Sequence, residues 1–197
     1  MKYLLILIVL TKTLTSIAQE NQSIVGRVTM SNGEVVIIKP DGQRTSAQRR
    51  SEVFEGDVLE TGPDGTIHIR FVDSALVAIS CNTKLNIQQY KFRNNEIVEL
   101  NLIEGSMRTV SGQTSPANYT LHTESADAYI TRASTDFRAT GEPQAGVSIS
   151  VFNGGVRVEN NLGALDLGTT GGFNFAKVEN GLPPFGLATT PAPVACD

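Results

Sequence analysis

The stretch VFEGDVLETGPDGTIHIRFVDSALVAISCNTKLNIQQY, residues 53–90, is a punctuated series of short apolar segments. Two of them, residues 53–59 and 67–72, flank Glu60-Thr61-Gly62-Pro63-Asp64-Gly65. Glycines accept positive φ there, and Pro63 and Asp64 favour tight reversal, so the two segments are expected to pair as a β-hairpin. In the second arm Ile67, Ile69 and Phe71 alternate with His68, Arg70 and Val72. That period of two puts three apolar side chains on one face of a strand and both basic groups on the other. The apolar face needs a second layer to bury it.

Working outward, residues 24–29 and 34–39 are β-rich and separated by Ser31-Asn32-Gly33, a hairpin signal, and Pro40-Asp41-Gly42 turns the chain again. Residues 43–51 carry Arg44, Arg49 and Arg50 and are expected to be a solvated loop. Residues 76–79, 85–89 and 97–103 follow as strands, with Asn94-Asn95 as a turn and Val98, Leu100 and Leu102 on one face. Further strands are expected at 119–123, 128–130, 147–152, 156–158, 165–167 and 173–176. Glycine recurs at Gly56, Gly105 and Gly154, each 49 residues after the last. Three equivalent turns of a layered roll would give that rhythm, and so would chance recurrence of a common hairpin element. The expected fold is all-β and mainly antiparallel, either a sandwich or a layered β-roll or short solenoid built from hairpins.

The N-terminus places Lys2 before the eight-residue apolar run 3–10 and ends in Ser16-Ile17-Ala18. This is the pattern of a signal peptide over residues 1–18, cleaved before Gln19. The run falls short of the about 20 residues a spanning helix needs, so no membrane span is expected in the mature chain. With Lys2 and Lys12 removed, 14 basic residues face 20 acidic ones, which makes nucleic acid an unsuitable partner. One all-β domain over residues 19–180 is expected, followed by a Pro-rich extended tail over 181–197.

Cys81 and Cys196 would meet an oxidising compartment after export. Two readings stand: a disulfide that ties the tail to the body or links two copies, or one buried thiol and one incidental terminal thiol. Two cysteines and the distant His68 and His122 do not make a zinc site. There is no Gly-x-Ser-x-Gly elbow, no phosphate-binding Gly-Lys-Ser or Gly-Lys-Thr loop and no calcium-loop pattern, so no cofactor is implied. Asp57, Asp64 and Asp73 stand beside turns, where their oxygens bond to turn amides, and with Gly56, Gly62, Gly65, Gly105 and Gly154 they are expected to define the fold.

The pattern resembles the FecR-domain family of bacterial periplasmic proteins over about residues 25–167. The resemblance rests on Gly26-Arg27-Val28, on Glu55-Gly56-Asp57-Val58-Leu59-Glu60-Thr61-Gly62, on Asp64-Gly65 before Ile69-Arg70-Phe71-Val72-Asp73, and on Leu102 with Gly105 in a following hairpin. The strand 119–123, Ala126, Arg132, Thr135-Asp136-Phe137 and an expected hairpin over 151–158 look like the family's second half. Family members commonly carry Arg-Gly-Thr before an acidic-aromatic pair. Here Arg132-Ala133-Ser134-Thr135-Asp136-Phe137 lacks the glycine and has an extra residue, which implies a rebuilt turn.

The best-known members join a cytoplasmic sigma-factor regulator, one membrane helix and the periplasmic domain. The resemblance therefore implies a freestanding periplasmic module whose partner is another envelope protein or a second copy of itself. The function expected is an exported, non-catalytic protein–protein interaction module: a signal relay, a scaffold or a component of an envelope assembly. Strand edges and sheet faces suit that role. The alternative is a small-ligand binder or hydrolase whose site is assembled from converging strands by Asp136, His122, Asp73 and His68.

Overall fold

In a computed structural model that describes residues 23–169, 171–192 and 196, the chain passes back and forth between two facing sheets. The leader expected at residues 1–18 lies outside the described residues. Strand β1 (Ile24–Asn32) belongs to sheet A, β2 (Val35–Ile38) and β3 (Arg44–Ser46) to sheet B, β4 (Glu52–Phe54) to A and β5 (Val58–Thr61) to B. The chain returns to A with β6 (Thr66–Phe71) and β7 (Leu76–Ile79), and to B with β8 (Lys84–Lys91). The long β9 (Ile97–Val110) starts in B and ends in A. Then β10 (Tyr119–His122) and β11 (Asp127–Ile130) lie in B, β12 (Asp136–Glu142) and β13 (Gly146–Asn153) in A, and β14 (Gly155–Asn160) and β15 (Gly163–Gly168) in B. The described chain finishes in A with β16 (Phe175–Val178) and β17 (Phe185–Leu187).

Sheet A runs β4-β1-β6-β7-β9-β12-β13-β16-β17, and sheet B runs β3-β2-β5-β8-β9-β10-β11-β14-β15. Because β9 serves both, the 17 strands form one continuous mixed system that folds over itself and does not close. One ladder, β9 with β10, is parallel. The inward faces meet in a single core that includes Val53, Leu59, Ile67, Leu85, Ile87, Leu100, Phe137, Val156 and Val158. Alternation of β-branched and aromatic residues with polar ones suits a sheet with one dry and one wet face.

Three expected hairpins are instead corners between layers. β5 pairs with β2 and β8, while β6 pairs with β1 and β7, so Gly62-Pro63-Asp64-Gly65 carries the chain across the sandwich. Residues 53–59 are two strands broken by a turn in which the Asp57 amide donates to the Phe54 carbonyl. Ser31-Asn32-Gly33 likewise joins β1 in A to β2 in B, and residues 151–158 cross from A to B. Two further departures concern polar segments. Arg44–Ser46 is an edge strand rather than loop, and Phe185–Leu187, inside the expected tail, pairs with β16 at the other sheet's edge.

Gly56, Gly105 and Gly154 have φ of 86°, 87° and 83°, and each sits where the chain leaves one sheet for the other. The latter two share a further device. Thr83 Oγ1 accepts the Ser106 amide (2.9 Å) and Thr135 Oγ1 accepts the Gly155 amide (3.2 Å), so each threonine braces the residue after a crossing glycine. A Cβ on Gly105 would overlap Thr83 Oγ1 and the Asn82 carbonyl. We expect Gly105→Ala to destabilise by about 2–4 kcal/mol, combining left-handed strain with the loss of the threonine brace. Urea unfolding measures this, and a loss below about 1 kcal/mol would mean that the crossing yields without strain.

The Arg132–Phe137 departure from the family pattern has a local solution. Ser134 takes φ 55°, the left-handed conformation that a glycine would otherwise supply. Thr135 is thereby kept buried against Gly154 and Gly155.

Candidate functional site: the outer face of sheet A

A β-bulge sets the centre of this face. Asp136 pairs with Asn153 and Phe137 with Val151, which leaves Phe152 unpaired and turned outward, 45% exposed. Arg108 on β9 lies in register with Arg138 on β12. Both guanidinium groups stand over the Phe152 ring, at 4.5 and 5.5 Å from its centroid, a cation–π arrangement. Asp136 accepts the Arg108 fork with two bonds, Nε to Oδ1 at 2.9 Å and Nη2 to Oδ2 at 2.7 Å. Those hydrogen bonds raise the Arg108 pKa above its ordinary value.

The neighbouring row runs Arg70, Leu76, Val110, Asp136 and Asn153 across five strands. Leu76, Val110 and nearby Val72 are each more than a third exposed. Among the described residues, neither Arg70 nor Arg138 forms an ion pair with a carboxylate. The face thus combines an exposed aromatic ring, three exposed aliphatic side chains and two guanidinium groups without a carboxylate partner among the described residues.

The residues singled out in the sequence are mostly occupied elsewhere. Asp73 is fully buried: its Oδ1 accepts the Tyr90 hydroxyl (2.6 Å) and the Ala75 amide (3.0 Å), and its Oδ2 accepts the Thr114 hydroxyl (2.8 Å). Tyr90 stacks on Phe71 at 4.3 Å. Burial, followed by the influence of Tyr119 and Asp73, holds the Tyr90 hydroxyl protonated far above the ordinary tyrosine range. Asp57 is also buried, with Oδ2 accepting Lys39 Nζ (2.8 Å) and the Phe54 amide (2.9 Å). Asp64 Oδ1 accepts the Glu34 amide at 3.2 Å. Gly62 and Gly65 are not in the left-handed region as expected; they admit Glu34, whose carbonyl would overlap a Cβ on Gly65.

The four groups of the hydrolase alternative do not converge. His68 and Asp136 lie on the outer face of sheet A, Asp73 lies in the core, and His122 lies on sheet B, with Nδ1 2.8 Å from Asp127 Oδ1. A cleft of about 670 Å³ opens between Ile24, Val72, Tyr90 and Phe92, with Glu55 and Arg93 at its border, and neither histidine lines it. Two of its polar groups are engaged within the fold, since Glu55 Oε2 accepts the Tyr90 amide and the Tyr90 hydroxyl bonds Asp73. Among the described residues no cluster of three or more His, Cys, Asp or Glu could hold a metal ion.

Cys81, buried, and Cys196, exposed, are joined by a disulfide with Cα atoms 5.6 Å apart. The arginine segment 44–50 is no single patch, because Arg44 bonds Glu60 at 2.6 Å. Sequence reasoning passed over Arg108, Arg138 and Phe152. A signal was there: Ser148 and Ser150 mark the outward phase of β13, and Phe152 continues that phase with an aromatic ring.

The described residues form a layered all-β domain whose outer sheet A face presents an exposed aromatic ring between two guanidinium groups. Residues 57–157 match the model of the FecR protein family, and the chain belongs to that family. No curated protein matches it. Among solved structures, a cell surface anchoring domain is 27% identical, covering 32% of this chain and 82% of its own, with a TM-score of 0.31. Two crystal structures of a chain described as an anti-sigma factor from Parabacteroides distasonis ATCC 8503 are each 16% identical over 62% of this chain, with TM-scores of 0.48 and 0.47. This chain spans 60% of the length of each of those two. Among the described residues no helix is long and apolar enough to cross a membrane.

Proposed function

We propose that this protein is an exported, non-catalytic interaction module of the bacterial envelope that binds another protein through the outer face of sheet A, acting as a signal relay, a scaffold or part of an envelope assembly. The observation that carries the reading is Phe152, exposed between the Arg108 and Arg138 guanidinium groups on a face that also exposes Leu76 and Val110. Aromatic and arginine side chains dominate binding hot spots, and a contiguous exposed apolar patch is what an interaction surface presents.

The edges are less suited to accept a partner strand. Of the four edge strands, β3, β4 and β17 are three residues long, β4 placing Glu52 2.7 Å from Arg27, and the six-residue β15 carries the exposed Asp166, which Arg157 reaches at 3.3 Å. Short charged edges are the usual protection against strand addition. The Cys81–Cys196 bridge fits a periplasmic setting, where disulfides persist.

A photo-crosslinking residue at Ser148, on the same outward phase of β13 as Phe152, would report the contact in cells. We expect crosslinked products that disappear in Phe152→Ala combined with Arg138→Ala, while stability stays within about 0.5 kcal/mol because both side chains are surface groups. Crosslinking that is unchanged by the double substitution would remove sheet A as the binding face.

A further inference from the structure

We infer that one partner of the sheet A face is the outer face of sheet B on a second copy of the chain, so that copies associate head to tail. This rests on the reading of sheet A as a binding surface and names what it binds. The two faces lie on opposite sides of the sandwich and carry opposite charge. On sheet A, Arg27, Arg70, Arg108, Arg138 and Lys177 outnumber Glu52, Asp136 and Glu142. On sheet B, Glu60, Glu99, Glu104, Asp127, Glu159 and Asp166 outnumber Arg44, Lys84, Lys91 and Arg157.

The local pairing sharpens the asymmetry. Arg157 is shared between Glu159 (2.9 Å) and Asp166 (3.3 Å), so one cation answers two carboxylates. Lys84 and Arg44 both reach Glu60, at 3.8 and 2.6 Å. Beyond these, Glu99 accepts only the neutral Gln89 amide (2.9 Å). Near the middle of the acidic face Tyr129 is 37% exposed and donates to Asp127 Oδ2 at 3.2 Å, giving an aromatic edge opposite in character to the Phe152 stack.

Size is adequate. Nine strands spaced about 4.8 Å, running from three residues to nine and averaging about 18 Å in length, present a face on the order of 800 Å², the area per partner of a standard stable interface. Because the contact joins two different patches on opposite sides, it is heterologous, and each added copy leaves one free face of each kind. Association therefore continues rather than stopping at a dimer unless the rotation happens to close a ring. Charge sets register and encounter rate, which makes the assembly sensitive to salt.

The test is sedimentation velocity on the purified exported protein over a wide concentration range, at low and high sodium chloride. Expected is a weight-average mass that rises past that of a dimer at low salt, with the concentration needed increasing about tenfold or more at high salt. Arg70→Glu with Arg138→Glu should hold the protein monomeric, and so should Glu99→Lys with Glu104→Lys. Mixing the two variants should restore association, because each then meets a face of opposite charge. Circular dichroism and melting temperature report folding of each variant separately.

A monomer at every concentration, a plateau at twice the monomer mass, or a mixture that stays monomeric would each overturn the second copy as partner. Cellular crosslinking that still depends on Phe152 in a monomeric protein would leave the sheet A reading standing. Loss of both results would overturn both.

Discussion

Asp73→Ala is expected to lower the unfolding free energy by about 3–5 kcal/mol, a large share of the 5–15 kcal/mol typical of a domain. The carboxyl is fully buried and satisfies three donors drawn from three places: the Ala75 amide in the β6–β7 turn, the Tyr90 hydroxyl on β8 and the Thr114 hydroxyl in the loop after β9. Removing it leaves all three unpaired in the core, each costing about 1–3 kcal/mol before relaxation. Tyr90→Phe removes only one of the donors and keeps the stack on Phe71, so its expected loss is smaller, about 1–2 kcal/mol. The backbone carbonyl of Asp73 also accepts the Gln113 amide, which pins that loop against the turn.

The consequence reaches the proposed binding face. Val72 and Leu76, two of the exposed aliphatic residues on the sheet A side, flank the turn that Asp73 holds. Equilibrium urea titration of the two variants checks the order, and an Asp73→Ala loss no larger than that of Tyr90→Phe would show that the network is not the turn's anchor. A variant that fails to fold at all is compatible with the larger value. Asp73→Asn then supplies the graded measurement, since it keeps the volume while one of its groups can no longer accept.

The strands themselves were legible because alternation reports which side chains face inward, and β6 is a clear case: Ile67, Ile69 and Phe71 are buried while His68 and Arg70 are exposed. Which strand lies beside which was not legible at the corners. Gly-Pro-Asp-Gly and Asn-Gly supply the same reversal whether the chain folds back on its neighbour or crosses to the facing sheet. Long-range pairing decides between them, and residues 53–72 carry no local mark of it.

Two crossings did leave a mark. Inward residues are even-numbered at Val98, Leu100 and Leu102 but odd-numbered at Met107 and Thr109, and the phase changes at Gly105. Val147, Ile149 and Val151 give way to Val156 and Val158 across Gly154 in the same way. A change of phase at a positive-φ glycine is the sign of a strand leaving its sheet. The candidate site was harder to see because it depends on a bulge. Alternation turns Phe152 outward, but the register shift against β12 sets what lies beside it, and Arg108 and Arg138 reach it across two ladders.

Breaking the Cys81–Cys196 bridge is expected to cost about 2–5 kcal/mol, and the position of the two sulfurs makes the two single substitutions unequal. The bonded residues are 115 apart, so the unfolded chain loses a very large loop's worth of freedom when the bond is present. A chain-entropy account puts a loop of about 100 residues near 4.7 kcal/mol, with strain and residual unfolded structure reducing what is observed. For a domain of this size that corresponds to a melting temperature lower by roughly 5–15 °C.

Cys196→Ser removes the crosslink and leaves Cys81 as a small buried thiol, at home in the core between β7 and β8. Cys81→Ser removes the same crosslink and also buries a hydroxyl where the sulfur was, adding about 1 kcal/mol or more if it finds no partner. The expected order of stability is therefore oxidised protein, then Cys196→Ser, then Cys81→Ser, with the reduced wild type close to Cys196→Ser. Urea midpoints with and without reductant measure all four. Equal midpoints for the oxidised and reduced protein would mean that the bond constrains nothing the fold does not already hold. Full thiol labelling of the native protein would mean that it does not form, which would also remove the compartment argument drawn from it.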